Sequence, residues 1–169
     1  MSPAAATLVS VEEYLNTSFP DGDCEYVDGR IVERNLGEID HSDLQTSIAA
    51  YLRARYPQFW AGVEVRVQVK PSRFRVPDIC LVAGSKPPGR IIRTPPFLVV
   101  EVLSPDDRVD ELEERIDDYL PSGVPYVLVV NPRTRRGYLH TAEGSRGLKD
   151  GVLRTENPAI ELPLARMFQ

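Results

Sequence analysis

Lysine is nearly missing from this chain. Three lysines (Lys70, Lys86, Lys149) stand against 17 arginines. Few side chains are therefore left to act as an amine base. Cysteine is equally scarce. Cys24 and Cys80 are the only two, which excludes a disulfide framework and a cysteine metal cluster. Both are expected to be reduced, with Cys80 packed as a small core residue. No run of 18 apolar residues occurs, so no transmembrane helix is expected. Residues 1–7 carry no basic region and no long apolar stretch. They read as a flexible lead-in rather than a signal peptide, and residues 8–169 as a single cytoplasmic domain. Excess positive charge is lacking too. The net charge is −5 and the pI about 5.1. That argues against a dedicated nucleic-acid binder but leaves room for a segregated basic surface.

What is present is ordinary in bulk: 169 residues, 42% hydrophobic and 27% charged, enough for a sizeable core. The pattern along the chain is more specific. Ser10-Val11-Glu12-Glu13 is a capping-box sequence that predicts a short helix to about Asn16. Residues 25–33 alternate around Asp28-Gly29, the signature of a tight hairpin. Asp40 is placed to cap a helix over 40–55, with Leu44, Ile48, Ala49 and Leu52 as its apolar stripe. Val63, Val65, Val67 and Val69 alternate with polar residues and predict one strand. Further strands are expected over 76–82, 97–103 and 126–130. A proline- and glycine-rich loop spans 84–96, and a helix covers 109–120 before Gly123. A turn over 131–137 leads to a hairpin partner at Tyr138-Leu139-His140. Two weak strands follow near 151–153 and 160–162, then a helical turn at 164–166. This order predicts an α/β fold with a mixed sheet covered by helices, preceded by a helix and a hairpin.

Two acids sit inside apolar strands: Asp78 in Val76-Pro77-Asp78-Ile79-Cys80-Leu81-Val82, and Glu101 in Phe97-Leu98-Val99-Val100-Glu101-Val102-Leu103. A buried carboxylate is costly unless it is paired, hydrogen-bonded or bound to a cation. If the two strands are neighbours, both acids meet at one end of the sheet, and hard oxygen donors of this kind suit Mg²⁺ or Mn²⁺. The carbonyl of Val102 is a further candidate ligand. The alternative is two solvated acids at strand ends. Arg115 shares a helix face with Leu112 and Tyr119. It either reaches those acids or a phosphate, or forms a structural ion pair. The helix acids Glu113, Glu114, Asp117 and Asp118 are expected to point mostly outward. His41 at a helix start and Arg75 just before Asp78 are candidates for contact with nucleic acid. Glu25, opening the hairpin, reads as solvated on its own.

Pro77-Asp78, Glu101 in its apolar strand, and the longer string Leu98-Val99-Val100-Glu101-Val102-Leu103-Ser104-Pro105-Asp106-Asp107-Arg108 resemble the PD-(D/E)XK nucleases. Tyr119, Gly123-Val124-Pro125-Tyr126 and Val129-Val130-Asn131-Pro132 extend the likeness to the Uma-two-type restriction endonuclease family. Glu25-Tyr26-Val27-Asp28-Gly29 and His41 match that family's N-terminal landmarks. The resemblance implies a restriction-endonuclease-like fold, Mg²⁺ dependence, DNA as substrate and a homodimer. It implies Asp78 and Glu101 as metal ligands, Glu25 as an additional acid and His41 lining the site. The family's helix lysine corresponds to Arg115, and its strand lysine position to Leu103. Arginine keeps the charge but does not titrate near neutral pH. The expected function is a Mg²⁺-dependent endonuclease. The alternative is a nuclease-fold module that binds nucleic acid or protein without cutting.

Overall fold

The computed structural model describes residues 7–168. Most of the expected lead-in therefore lies outside the described residues. Helix α1 (Val11–Asn16) starts where the capping pattern placed it, with Ser10 Oγ accepting from the Glu13 N–H at 3.1 Å. Strands β1 (Glu25–Val27) and β2 (Arg30–Val32) form the predicted hairpin. Its turn holds Asp28 and Gly29 at φ 49° and 92°, the left-handed pair such a turn demands. Helix α2 (Ile39–Arg55) buries Leu44, Ile48 and Leu52. Asp40 does not cap it. Glu38 holds that position without a side-chain bond, and Asp40 lies in the first turn, where its charge favours the positive helix end.

The alternating valines do not form one strand. β3 (Phe59–Val63) ends at Val63, and β4 (Val67–Lys70) begins in a different sheet. Glu64 between them sits at φ 51°, which breaks the extended backbone. β4 pairs with β5 (Arg73–Arg75), which pairs with the hairpin, giving a four-stranded antiparallel sheet ordered β2-β1-β5-β4.

The central sheet is mixed and six-stranded. Its members are β3, β6 (Ile79–Ala83), β7 (Leu98–Val102), β8 (Tyr126–Asn131), β9 (Arg136–Thr141) and β10 (Gly144–Gly147). They lie in the order β10-β9-β8-β7-β6-β3, and only β7 and β8 run parallel. The parallel pair is joined by helix α3 (Val109–Ser122), which ends at Gly123 with φ 108°. β10 was not anticipated, because Gly-Ser-Arg-Gly has no apolar alternation and all four residues are exposed. β11 (Val152–Arg154), β12 (Glu161–Pro163) and a 3₁₀ turn (Leu164–Arg166) close the described chain as expected.

Both faces of the sheet are covered, which explains why β7 and β8 read as unbroken apolar runs. Leu98, Val100 and Val102 pack with Leu44, Ile48 and Leu52 of α2. Val99, Val127 and Val129 pack with Ile116 and Tyr119 of α3. Each such side chain stabilises the fold by roughly 1.5–3 kcal/mol through burial. Alternation along β7 puts Glu101 on the α3 face. Cys24 and Cys80 are both buried and free. Among the described residues no helix is long and apolar enough to cross a membrane.

Candidate active site

The β6–β7 ladder builds the centre of the site. Its last pair on this side is Ile79↔Val100. One step further the same register sets Asp78 opposite Glu101. Directly opposed residues on one sheet face lie close enough to interact. Both are buried, at 3% and 2% exposure. Asp78 Oδ2 accepts the Val102 N–H at 2.7 Å, which fixes the acid to the end of β7. Asp78 Oδ1 accepts from Arg34 Nη2 at 2.8 Å, and His41 Nε2 approaches Oδ2 at 3.3 Å. Gln45 of α2 donates to the Asp78 carbonyl at 3.0 Å. The hydrogen bond to Asp78 raises the His41 pKa against the opposing effect of burial.

Glu101 is held from α3. Tyr119 Oη donates to its Oε1 at 2.8 Å, and Arg115 Nη1 lies 3.4 Å from Oε2. Arg115 Nη2 also lies 3.6 Å from Asp107. Burial, and then the charge of Asp78, push the Glu101 pKa up to about 8. Arg115 and the Tyr119 hydrogen bond pull the other way but do not win. Glu101 is thus short of positive charge where it sits.

Glu25 is buried beside this pair, not solvated. Its Oε1 accepts the Val76 N–H at 3.0 Å and its Oε2 accepts from Arg75 Nη1 at 2.8 Å. Arg75 was expected to face nucleic acid. It is 2% exposed instead, and its guanidinium is committed to Glu25 and to Asp118 Oδ2, 2.8 Å from Nε. Desolvating an arginine requires such partners; the Arg75 Nη2 lies 2.7 Å from Asp118 Oδ2 but is buried without a hydrogen bond among the described residues. Asp118 is the second departure. Alone among the four helix acids expected outside, it is buried, at 1% exposure. Lys70, Arg73 and Arg75 surround it, at 2.8, 3.0 and 2.7 Å. Lys70 is thereby tied to Asp118 rather than to Glu101.

Glu25, Arg34, His41, Arg75, Asp78, Val102 and Arg115 line one cleft of about 250 Å³. A second cleft, lined also by Arg108 and Arg133, shares His41, Ser104 and Asp107 with it. A larger groove near α1 and the 84–94 loop contains none of these acids. Among the described residues no three His, Cys, Asp or Glu side chains converge as a ready metal cage. The donor set is two carboxylates at a strand end. Mg²⁺ takes that number when water and a substrate phosphate complete its shell. The mutual repulsion of Asp78 and Glu101 is the disfavoured charge state that a dication relieves, so the residues fit such an ion.

Arg34, Tyr119 and Gln45 are the cleft contacts that sequence reasoning missed. Arg34 lies in an irregular connection with no periodic signal. Tyr119 lies on the apolar face of α3 and its ring packs in the core, but its hydroxyl is polar and lands on Glu101.

The fold matches that of a solved structure. The crystal structure of a "putative nuclease belonging to DUF820" from Anabaena variabilis superposes with a TM-score of 0.81 at 18% identity, covering 95% of this chain and 97% of that one. The chain itself belongs to the Uma2 family, described as "Putative restriction endonuclease", which it matches over residues 11–169. No curated protein compared with it matches.

Proposed function

We propose that this protein is a divalent-metal-dependent endonuclease that hydrolyses DNA phosphodiester bonds. The observation that carries the reading is the buried pair Asp78 and Glu101, set opposite each other at a cleft and flanked by Arg34 and Arg115. Asp78 and Glu101, with the Val102 carbonyl, would hold Mg²⁺ or Mn²⁺. Bound there, such an ion neutralises phosphodiester charge and activates water.

The chain's own residues divide the remaining work. Arg115 keeps its proton at any working pH, so it stabilises charge that develops on the phosphate rather than removing a proton. Tyr119 orients Glu101 through its hydroxyl. Glu25 adds negative charge beside the pair, and Arg75 holds Glu25 in place. His41, on Asp78 and at the junction of the two clefts, is positioned to meet the nucleic acid. The proposal includes a homodimer, which the family resemblance motivates and sedimentation velocity tests.

A plasmid-nicking assay with Mg²⁺ or Mn²⁺ tests the reading. Cleavage by the wild type and background activity for Glu101→Ala are expected. A folded wild type that cuts no form of DNA with either metal would count against it. The presence of arginine at 115 and leucine at 103 favours a second reading, a nuclease-fold module that binds without cutting. DNA binding that is unchanged in Asp78→Ala without metal would select that reading. Equal cleavage defects in Asp78→Ala and Glu101→Ala would exclude it.

A further inference from the structure

Four arginines approach the buried acids of this cleft, and three of them divide between acids at similar distances. Arg73 and Arg75 are shared among Asp28, Glu25, Glu114 and Asp118. Arg115 spans Glu101 and Asp107. Arg34 differs. Among the described residues its one short ion pair is with Asp78 Oδ1 at 2.8 Å; its other acidic neighbour, the half-exposed Glu64, is 3.8 Å away. Its side chain is 19% exposed and lines the cleft from the irregular stretch between β2 and α2.

The charge count then matters. Two ionised carboxylates cancel a dication held between them. Arg34 and Arg115, the cations in contact with those two carboxylates, then lose the charge they balance there, while Asp107 still faces Arg115. A guanidinium displaced from its carboxylate by a metal needs another anion within reach, and its planar fork matches phosphate oxygens. We propose that Arg34 is a substrate-binding residue: resting on Asp78 in the free protein, it transfers to a non-bridging oxygen of the substrate phosphodiester when metal claims that carboxylate. The proposal rests on the metal reading above. It adds a residue that this reading leaves idle, and a competition between Arg34 and the metal for Asp78.

Two binding measurements, neither of which reads turnover, test it. Mn²⁺ affinity is followed by electron paramagnetic resonance. Affinity for a short labelled duplex is followed by fluorescence anisotropy across a salt series, with Ca²⁺ in place of Mg²⁺. For Arg34→Gln we expect Mn²⁺ to bind several-fold more tightly, because the competing cation is gone. Duplex affinity should fall roughly tenfold, as for one lost charge-assisted hydrogen bond, and the salt slope should drop by about one phosphate contact. Arg34→Lys, which keeps the charge, should retain most of the duplex affinity and guards against a folding artefact. Duplex affinity unchanged in Arg34→Gln, or Mn²⁺ affinity falling with it, overturns the assignment of Arg34 alone. A wild type that binds no more Mn²⁺ than Asp78→Asn overturns the metal reading and this one together.

Discussion

Glu101 and Asp118 are buried to the same degree, at 2% and 1% exposure, yet their pKa values move in opposite directions. Burial pushes both upward. At Asp118 the hydrogen bonds of Lys70 and Arg75 and the charges of Arg75 and Arg73 overcome it, and the pKa falls below the usual carboxylate range. At Glu101 the next largest influence is the negative charge of Asp78, and the pKa climbs to about 8. One region is a balanced network that holds β4, β5 and α3 together. The other sets Glu101 beside a second acid, Asp78, with Arg115 as its nearest cation at 3.4 Å. Folding alone selects for the first arrangement. The second is costly to a free protein, and its persistence is what a bound cation would explain. Low exposure alone therefore does not set how an acid titrates; the sign of the charge packed around it contributes as well.

The sharpest break in this contrast is Glu101→Gln. It should reduce nicking to background, and it should also raise the melting temperature of the metal-free protein at pH 9. Loss of both cleavage and stability would mean that Glu101 is a structural acid like Asp118. Next in size is Asp118→Asn. Removing one partner from a buried network costs about 3–5 kcal/mol, to be read from denaturant unfolding, with Mn²⁺ affinity less affected than stability.

The pH dependence separates the two acids further. The depressed pKa of Asp118 contributes stability that is complete above its unfolded value of 3.8 and is lost as pH falls through the folded value. The raised pKa of Glu101 acts in the opposite sense. Its protonated form is favoured on folding, so stability declines as pH rises from 4.5 through about 8 in the absence of metal. Melting curves across this range should show the upper decline in the wild type and not in Glu101→Gln. Asp118→Asn should flatten the acid limb only. The smallest expected effect is that of Arg115→Lys. Restoring an amine that can titrate should raise nicking several-fold and steepen its pH dependence, while melting behaviour changes little. Cleavage unchanged by that substitution would mean Arg115 does not limit the rate.

The sequence made some of this legible and hid the rest for physical reasons. Glu101 stood out because an acid between Leu98-Val99-Val100 and Val102-Leu103 has no cheap place to be. The Asp28-Gly29 turn and the Ser10 cap were readable because a few adjacent residues determine them. The single strand expected over Val63–Val69 failed because period-two alternation cannot reveal a left-handed Glu64, and that residue sends the chain into a second sheet. Asp118 was misplaced because helix spacing counts faces of one helix. Here the β4–β5 arginine and lysine side chains reach over α3 and bury an acid that spacing sets outside. Arg34 and Arg75 depend on strand order, which no local pattern contains.

The 2.7 Å bond from the Val102 amide to Asp78 ties chemistry to strand alignment. Were β6 to slip by one residue against β7, every side chain on it would change faces. Cys80 and Ile79 would exchange environments, Asp78 would lose its amide partner, and the acid pair would never form. A mispaired chain could then be compact and largely apolar inside yet lack the acid pair proposed to hold a cation. Divalent-ion binding would thus report on alignment of the central sheet, separating correctly registered molecules from collapsed ones that far-ultraviolet spectra cannot tell apart.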